Sequence, residues 1–303
     1  MEIPLHVRVL LLSLASATAL LGQMDAREVI QRAVAADERN WKVARNYTFS
    51  ERVNLRYLDS QGRVKSQEVS MHDVMLLDGS PYRRLVARDD HALAPGEEKK
   101  EEEKLAKSIA ERREETAVQR AQRLDVYGKR PEWQRDAWRE LPDAFDLRLT
   151  GEEVWDGHGV YVIEATPREG YQPRSRTAKI FAHLRGRLWV DKQDYHLVKA
   201  EVEVVDTISV GLFLVRVAKG SRATFEQTRV NGEVWLPLHV RASASARLGL
   251  LKVLRIEQEI SYSKCREFQT DSPVVSQMRD QPAHAEVPDR RDGQRDEGGN
   301  SRP

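Results

Sequence analysis

The chain contains 303 residues, of which 40% are hydrophobic and 32% are charged. Its 49 Lys and Arg residues balance 48 Asp and Glu residues, so no overall electrostatic field draws it toward nucleic acid or an anionic membrane. The single cysteine, Cys265, cannot form an intrachain disulfide, which excludes the small disulfide-stabilised scaffolds of secreted proteins.

Residues 1–22 predict a cleaved signal peptide. Arg8 precedes the apolar run Val9–Leu21, and Ala17-Thr18-Ala19 supplies the small residues that signal peptidase accepts. The run of about 13 residues is shorter than the roughly 20 residues of a membrane-spanning helix. Gln23 occupies the position where a lipid-anchored protein would carry a cysteine. We therefore expect a periplasmic or secreted protein without a lipid anchor.

The segment Asp25–Arg45 predicts an amphipathic helix, because Val29, Ile30 and Ala33 recur near helical spacing and Asp25 can cap the first turn. The hydrophobic period then changes to two, which indicates strands. The predicted strands of this first meander are Asn46–Leu58, Val64–Leu77 and Tyr82–Arg88, joined by tight turns.

The first of these strands has one apolar face and one polar face. Such alternation is typical of a sheet with one side against a core and the other side in water. The apolar face carries Tyr47, Phe49, Val53, Leu55 and Tyr57, and the polar face carries Thr48, Ser50, Arg52, Asn54 and Arg56.

A helical insertion over residues 95–141 interrupts the strand pattern. Its first part, Pro95–Tyr127, is rich in Glu and Lys, with opposite charges three residues apart such as Glu97 and Lys100. Each such pair supports a solvated helix by a few tenths of a kcal/mol, roughly. A short helix around Trp133 and Trp138 is expected to end the insertion. The charged helix is either an arm or lid, or a solvated excursion without a role in binding.

A second block of strands follows, separated by turn signals such as Asp156-Gly157 and Asn231-Gly232. A helical turn is expected over Thr177–Leu184. The predicted strands are Phe145–Trp155, Val160–Thr166, Arg187–Val190, Tyr195–Val205, Val210–Val217, Arg222–Val230, Glu233–Leu236, His239–Leu248 and Lys252–Tyr262.

The short turns between these strands demand antiparallel pairing, and the total is about 11 or 12 strands. A sheet of that size has to curl into a barrel, a half-barrel or a sandwich that helices can cover. Residues 271–303 contain few apolar side chains and much Pro, Gly, Asp and Arg, so we expect a disordered tail there.

The pattern resembles the outer-membrane lipoprotein carrier superfamily, whose members have the LolA/LolB-like fold. The segment Leu188-Trp189-Val190-Asp191 and its return His196–Val204 are the most specific part of the resemblance. The leading helix, the first meander and the last hairpins extend it. The resemblance implies one mainly-β domain over residues 23–270. Its fold would be an incomplete antiparallel β-barrel, a strongly curved sheet covered by helices around a cavity for acyl chains.

The sequence contains no recognisable catalytic or metal-binding motif. It has no G-x-S-x-G element and no glycine-rich phosphate loop, and its eight histidines lack metal-ligand spacing. His183, His196 and His239 could still meet across facing strands. Cys265 is expected to be a buried, inert thiol. We therefore expect no enzyme activity, no metal and no cofactor.

The leading functional prediction is an exported, non-enzymatic protein that shelters a lipid or an acylated lipoprotein in an apolar cavity. The alternative is an interaction or structural module of the cell envelope, with a packed, ligand-free interior and a protein partner docked on the charged insertion. An enzyme assembled from distant strands is a third reading. The candidate cavity-lining residues are Tyr47, Phe49, Tyr57, Met71, Met75, Trp155, Trp189, Phe213 and Trp235.

Overall fold

Antiparallel strands dominate the computed structural model, which describes residues 25–129, 132–210, 215–249 and 252–267. The predicted signal peptide and the predicted tail lie outside these residues. The helices are α1 (Ala26–Ala44), α2 (Pro95–Arg113), α3 (Ala117–Gly128) and α4 (Glu132–Ala144), with a 3₁₀ helix at Ala178–His183. The strands are β1 (Tyr47–Leu58), β2 (Val64–Leu77), β3 (Ser80–Arg88), β4 (His91–Ala92), β5 (Phe145–Trp155), β6 (His158–Pro167), β7 (Leu184–Asp191), β8 (Leu197–Val204), β9 (Ile208–Val210), β10 (Val215–Val217), β11 (Arg222–Val230), β12 (Val234–Leu248) and β13 (Lys252–Glu267).

The strands form one sheet that does not close on itself. Within the described residues, eleven of them follow each other in the order β4-β3-β2-β1-β13-β12-β11-β8-β7-β6-β5, while β10 pairs with β12 and β9 pairs with β10. The edge strands β4 and β5 therefore remain unjoined. This confirms the predicted mainly-β fold, a curved antiparallel sheet with helices rather than a closed barrel.

The cross-strand register gives the sheet two chemically different faces, because paired residues point to the same side. The apolar face includes a row that crosses seven strands without a polar side chain. That row is Ile163, Leu188, Ala200, Phe225, Val240, Ile260 and Val53. The neighbouring row on the opposite, charged face is Glu164, Arg187, Glu201, Thr224, Arg241, Glu259 and Asn54.

Helix α1 lies on the apolar face at the β5–β8 end of the sheet. It begins where the Asp25 carboxylate accepts a hydrogen bond from the Arg27 amide, as the sequence predicts. Its apolar stripe, Val29, Ile30 and Ala33, is almost fully buried, and it forms one core cluster with strands β6 and β7. Helix α4 packs beside it.

Three predicted elements differ from the structure. The charged insertion contains two helices, because Thr116 starts α3 with a capping box that it forms with Gln119. The segment Val210–Val217 was predicted as one strand but holds parts of β9 and β10, which pair with each other. The strands predicted at Glu233–Leu236 and His239–Leu248 are one strand, β12, whose pairing shifts near Pro237.

The polar face of β1 is also less exposed than predicted. Ser50 and Asn54 are each only 6% exposed. The Ser50 hydroxyl donates to the Asp73 carboxylate on β2 at 2.6 Å, which satisfies its polar atom without water. A small polar side chain between longer neighbours is therefore buried even on the side opposite the apolar face.

The charged insertion is anchored to the body of the protein. The Arg112 guanidinium donates to the backbone carbonyls of Leu77 and Ser80. The Tyr127 hydroxyl donates to the carbonyl of Arg45 at the end of α1. These contacts hold α2 and α3 at the β2–β3 turn and against β3.

Candidate functional site

The apolar face of the sheet is covered by helix at one end and is open in the middle. Ile163 and Leu188 lie in the buried cluster beneath α1. Further along the same row, Phe225, Val240 and Ile260 are half-buried and lie outside the buried clusters of the described residues. We call this region the open apolar surface. It comprises Val53, Leu55, Tyr57, Phe225, Val240, Ala242, Ala244, Ile256 and Ile260.

Helices flank the open apolar surface on both sides. Helix α1 contacts β5, β7 and β12, whereas α2 and α3 contact β3. Arg88 at the end of β3 reaches Glu97 of α2 at 3.4 Å, which connects that side of the sheet to the insertion. The surface between these two helical layers spans β11, β12, β13 and β1. Its side chains are small or aliphatic with two aromatic rings, and the polar Gln258 lies among them between Leu55 and Ala242.

A polar rim adjoins the open apolar surface on the same face. Glu51 lies opposite both Tyr262 and His72, and it forms an ion pair with Arg83. Burial raises the pKa of Tyr262, and the nearby Glu51 carboxylate adds to that rise. Burial lowers the pKa of His72, with Arg83 adding to that effect. The His72 ring is therefore neutral at neutral pH, and the rim carries one balanced ion pair.

The charged face is neutralised by its own ion pairs. Glu164 pairs with Arg148 and Arg187, and Glu203 pairs with Arg185 at 2.9 Å. Hydrogen bonds from Arg187 and Arg148 lower the pKa of Glu164. A groove of about 490 Å³ crosses the strands here, with Arg185, Glu203 and the Glu164–Arg187 pair among its lining. Because the charges alternate along it, this groove favours neither sign of ligand.

Two of the predicted cavity-lining residues, Trp155 and Trp189, lie together on the charged face. The Lys199 ammonium stands 4.4 Å from the Trp155 ring centre and 4.6 Å from that of Trp189. The Trp189 indole donates to Glu153 at 2.8 Å. These contacts and the burial of Trp189 place both rings in a packed cation–π cluster.

Trp235 belongs to the same buried cluster as Trp189 and Trp155, whereas Tyr47 lies in a second cluster with Val234 and Leu236. The Tyr47 hydroxyl donates to Glu233 at 2.6 Å. The Trp235 indole donates to Asp194 at 2.7 Å, and its ring stacks on His196 with 5.5 Å between ring centres. Both polar tips are thus satisfied by neighbouring side chains.

The remaining predicted residues divide between the two faces. Phe49 and Tyr57 lie on the apolar face, where Phe49 makes an edge contact with Tyr262. Met71 and Met75 alternate onto the opposite face. Phe213 lies outside the described residues. The predicted set is therefore not gathered in one place, and Tyr57 is its member within the open apolar surface.

The residues of the open apolar surface that sequence reasoning did not select are Val53 and Leu55 of β1 and all of its residues from β11, β12 and β13. In the sequence, Phe225, Val240 and Ile256 each alternate with polar residues along their strands. This alternation is the signal that could have identified them as residues of the apolar face. That signal assigns them to a face but does not say which strands lie side by side. The pairing of β1 with β13, which joins them into one surface, links the two ends of the described chain.

The described residues include no group of three or more His, Cys, Asp or Glu side chains placed to hold a metal ion. His183 lies 3.5 Å from Asp206, and His239 lies 3.4 Å from Glu226. Cys265 is half-buried, and burial raises the pKa of its thiol, which disfavours the nucleophilic thiolate. None of the helices in the described part of the chain has the length and apolar character needed to cross a bilayer.

The chain is similar in structure, but not detectably in sequence, to known proteins. No protein-family model matches the chain, and no curated protein sequence matches it. An outer membrane lipoprotein-sorting protein domain from Vibrio parahaemolyticus aligns over 83% of this chain and 97% of its own, with 12% identity and a TM-score of 0.33. A LolA superfamily protein from Nitrosomonas europaea aligns over 82% and 95%, with 11% identity and a TM-score of 0.32.

A third similar structure is the complex of MucA and MucB from Pseudomonas aeruginosa. It aligns over 81% of this chain and the whole of its own, with 13% identity and a TM-score of 0.25. Likenesses of this size concern the fold and carry no argument about a ligand or a partner. The LolA superfamily that the sequence pattern resembles is thus named among the structures to which this curved sheet is similar.

Proposed function

We propose that the protein is an exported, non-enzymatic binding protein that shelters an acyl chain of a lipid or of an acylated protein on the open apolar surface. The observation that carries this proposal is the unbroken apolar row across the sheet, whose covered end is buried beneath α1 and whose open end is half-buried. An apolar surface of this kind favours a ligand that removes it from water.

The shape of the open apolar surface suits an extended chain. Its residues form parallel rows, with Val53, Val240 and Ile260 in one row and Tyr57, Ala244 and Ile256 in another. The row between them is Leu55, Gln258 and Ala242, so one amide side chain lies within the apolar surface. The small side chains of Ala242 and Ala244 leave the surface shallow between these larger side chains. Burial of an acyl chain stabilises a complex by about 0.8 kcal/mol per CH₂ group, so burial of part of such a chain supports measurable affinity.

The polar rim supplies the other end of such a ligand with partners. Glu51, Arg83 and Tyr262 lie on the same face as Val53 and Ile260. They offer both hydrogen-bond donors and acceptors next to apolar side chains, as polar groups do in lipid sites that fix a headgroup. None of these contacts requires a covalent bond to be made or broken, so we propose binding rather than catalysis.

A fluorescent fatty acid, cis-parinaric acid, tests the proposal directly. The full chain should enhance its emission in a saturable way, and Val240→Gln with Ile256→Gln should weaken binding by about ten-fold, since two buried apolar contacts are lost. Ser243→Gln is the matched control, because Ser243 alternates onto the opposite face of the same strand. Equal binding by both variants would remove the open apolar surface as the site.

Docking of a protein partner on the insertion is a second candidate, favoured by two exposed valines. Val118 is 66% exposed and Val126 is 74% exposed, both on α3. Contiguous exposed apolar surface is typical of an interaction site, and these two valines stand about two turns apart on the same helix. If a co-purifying envelope protein is lost in Val118→Ser with Val126→Ser while cis-parinaric acid binding stays absent, docking rather than acyl binding describes the protein.

A further inference from the structure

One polar side chain lies within the open apolar surface. Gln258 of β13 stands opposite Leu55 of β1 on one side and Ala242 of β12 on the other. Along β13, Ile256 and Ile260 point to the same face, because side chains two residues apart in a strand share a face. The amide of Gln258 is therefore surrounded by aliphatic side chains across and along the strands.

The Gln258 amide is accessible to a ligand. The residue is half-buried, and its side chain makes no hydrogen bond within the described residues. Since its amide atoms are not among the fully buried, unpaired polar atoms of this part of the chain, they reach the surface. A primary amide donates through its nitrogen and accepts through its oxygen. Gln258 thus offers both kinds of hydrogen bond in the middle of an apolar surface.

Gln258 separates an apolar part of its cross-strand row from a polar part. In one direction the row continues through three side chains without a polar atom, those of Ala242, Ala223 and Val202. In the other direction, beyond β1, it reaches Glu68 of β2, which is exposed. An elongated ligand with a hydrocarbon end and a polar end matches this order of side chains.

The charges on this face disfavour an anionic group beside Gln258. The two arginines of β3 that point to this face are paired with carboxylates, in the pairs Arg83–Glu51 and Arg88–Glu97. Lys252 points to the same face of β13, but it lies six residues away, about 20 Å along the strand. Glu68 adds a negative charge to the row. A free carboxylate is therefore a poor partner here, and a neutral oxygen acceptor is a good one.

We propose that Gln258 selects acyl chains that are held in a neutral ester or amide linkage, by donating a hydrogen bond to the carbonyl oxygen of that linkage. The hydrocarbon chain lies over Ala242 and Ala223, and the headgroup extends across β1 toward β2. These two strands also carry Glu51 and His72 at the polar rim. The inference rests on the proposed function, because it names the chemical class of the ligand and a residue that recognises it.

Displacement of cis-parinaric acid from the full chain by matched lipids tests the inference. 1-Lauroylglycerol contains an ester carbonyl, and 1-O-dodecylglycerol has the same headgroup and chain length with an ether instead. The ester should displace the probe at about five-fold lower concentration, as expected for one additional hydrogen bond. N-Lauroylethanolamine supplies an amide carbonyl. Stronger displacement by this amide would indicate an N-acylated ligand, and stronger displacement by the ester would indicate a glycerolipid, with Gln258 as the donor in both cases.

The variant Gln258→Leu separates the linkage from the hydrocarbon chain. Leucine keeps the side chain bulky and removes its hydrogen-bonding atoms, so the advantage of the ester over the ether should disappear. Binding of cis-parinaric acid and of the ether should stay as strong or increase. Gln67→Leu is the matched control and should keep the ester advantage, because Gln67 is exposed and lies opposite Arg56 on the charged face.

Nitrogen NMR of side-chain amides gives a second readout in the unaltered chain. The Gln258 amide signals should shift more with 1-lauroylglycerol than with 1-O-dodecylglycerol, while those of Gln67 stay in place. Equal displacement by ester and ether, or an ester advantage that persists in Gln258→Leu, would overturn the inference and leave acyl binding intact. Absence of cis-parinaric acid binding would instead remove the proposed function, and the inference with it.

Discussion

Val53 lies directly opposite Ile260 across β1 and β13, and both side chains are only half-buried. They belong to the same cross-strand row as Ile163, which is fully buried beneath α1. One row of the sheet therefore serves two purposes. Its covered end stabilises the fold, and its open end forms the surface on which we propose that an acyl chain binds.

Isoleucines at the two ends of this row should differ in their contribution to stability. Ile163→Ala should lower the free energy of unfolding by about 2–5 kcal/mol, because it leaves a cavity in a closed core. Ile260→Ala should cost about 1 kcal/mol, since less apolar area is withdrawn from water there. Urea denaturation measures both. Equal losses would mean that the open apolar surface is packed as tightly as the core.

Lys199 should contribute to stability through its aromatic neighbours. It stands over both Trp155 and Trp189, and its side chain is 14% exposed. Replacement by Gln should lower the free energy of unfolding by roughly 1–2 kcal/mol, because two partly desolvated cation–π contacts and the ion pair with Glu201 are lost. Lys219→Gln, at an exposed position, is the control and should leave thermal unfolding unchanged. A loss of the same size in both variants would argue against the cation–π cluster.

Glu140 should make the fold sensitive to acid. Burial of its carboxyl raises the pKa, but hydrogen bonds from Tyr171 and from the Arg174 amide outweigh that effect, so the pKa is lowered from its usual 4.5. A lowered folded-state pKa contributes stability that is fully present above about pH 4.5 and is lost as pH falls through the folded-state value. Thermal unfolding between pH 7 and pH 3 should show this loss.

The variant Glu140→Gln separates this carboxylate from the others. It should be less stable than the unaltered chain at pH 7 and should lose less stability on acidification, because the titrating group is absent. Glu169→Gln, at an exposed site, should follow the unaltered chain across the whole range. A Glu140→Gln curve parallel to that of the unaltered chain would contradict the assignment.

The Thr116 cap should stabilise α3 against local unfolding of the insertion. Its hydroxyl accepts from the Gln119 amide at 3.3 Å at the start of α3. Loss of such a cap costs about 0.5–2 kcal/mol, and Thr116→Ala should therefore speed amide exchange in α3 while β1 and β13 stay protected. Thr207→Ala, at an exposed turn position, is the control. Uniformly faster exchange in the sheet would show instead that α3 folds together with the strands.

Local features of the fold could be predicted from the sequence because they depend on neighbours in the chain. Asp156-Gly157 and Asn231-Gly232 adopt the positive φ angles of tight hairpin turns, as their residue types require. The start of α1 at Asp25 follows from its side chain. In each case a few adjacent residues determine the local backbone conformation.

Features that depend on distant pairing could not be predicted in the same way. The alternation in β1 correctly assigns Val53 and Tyr57 to one face, but the register with β13 decides which side chains lie beside them. The same limit applies to Trp189, a buried residue whose face is set by its partners Val162 and Lys199. Sequence reasoning therefore identified apolar residues correctly and could not group them into one surface.

Native mass spectrometry of the full chain, exported to a bacterial periplasm and purified without detergent, tests the central claim most directly. The acyl-binding account predicts a mass above that of the bare protein by one lipid or acyl species. Solvent extraction should release that species, and Val240→Gln with Ile256→Gln should lose it while Ser243→Gln retains it. A bare mass in every sample, with no uptake of added cis-parinaric acid, would contradict the account.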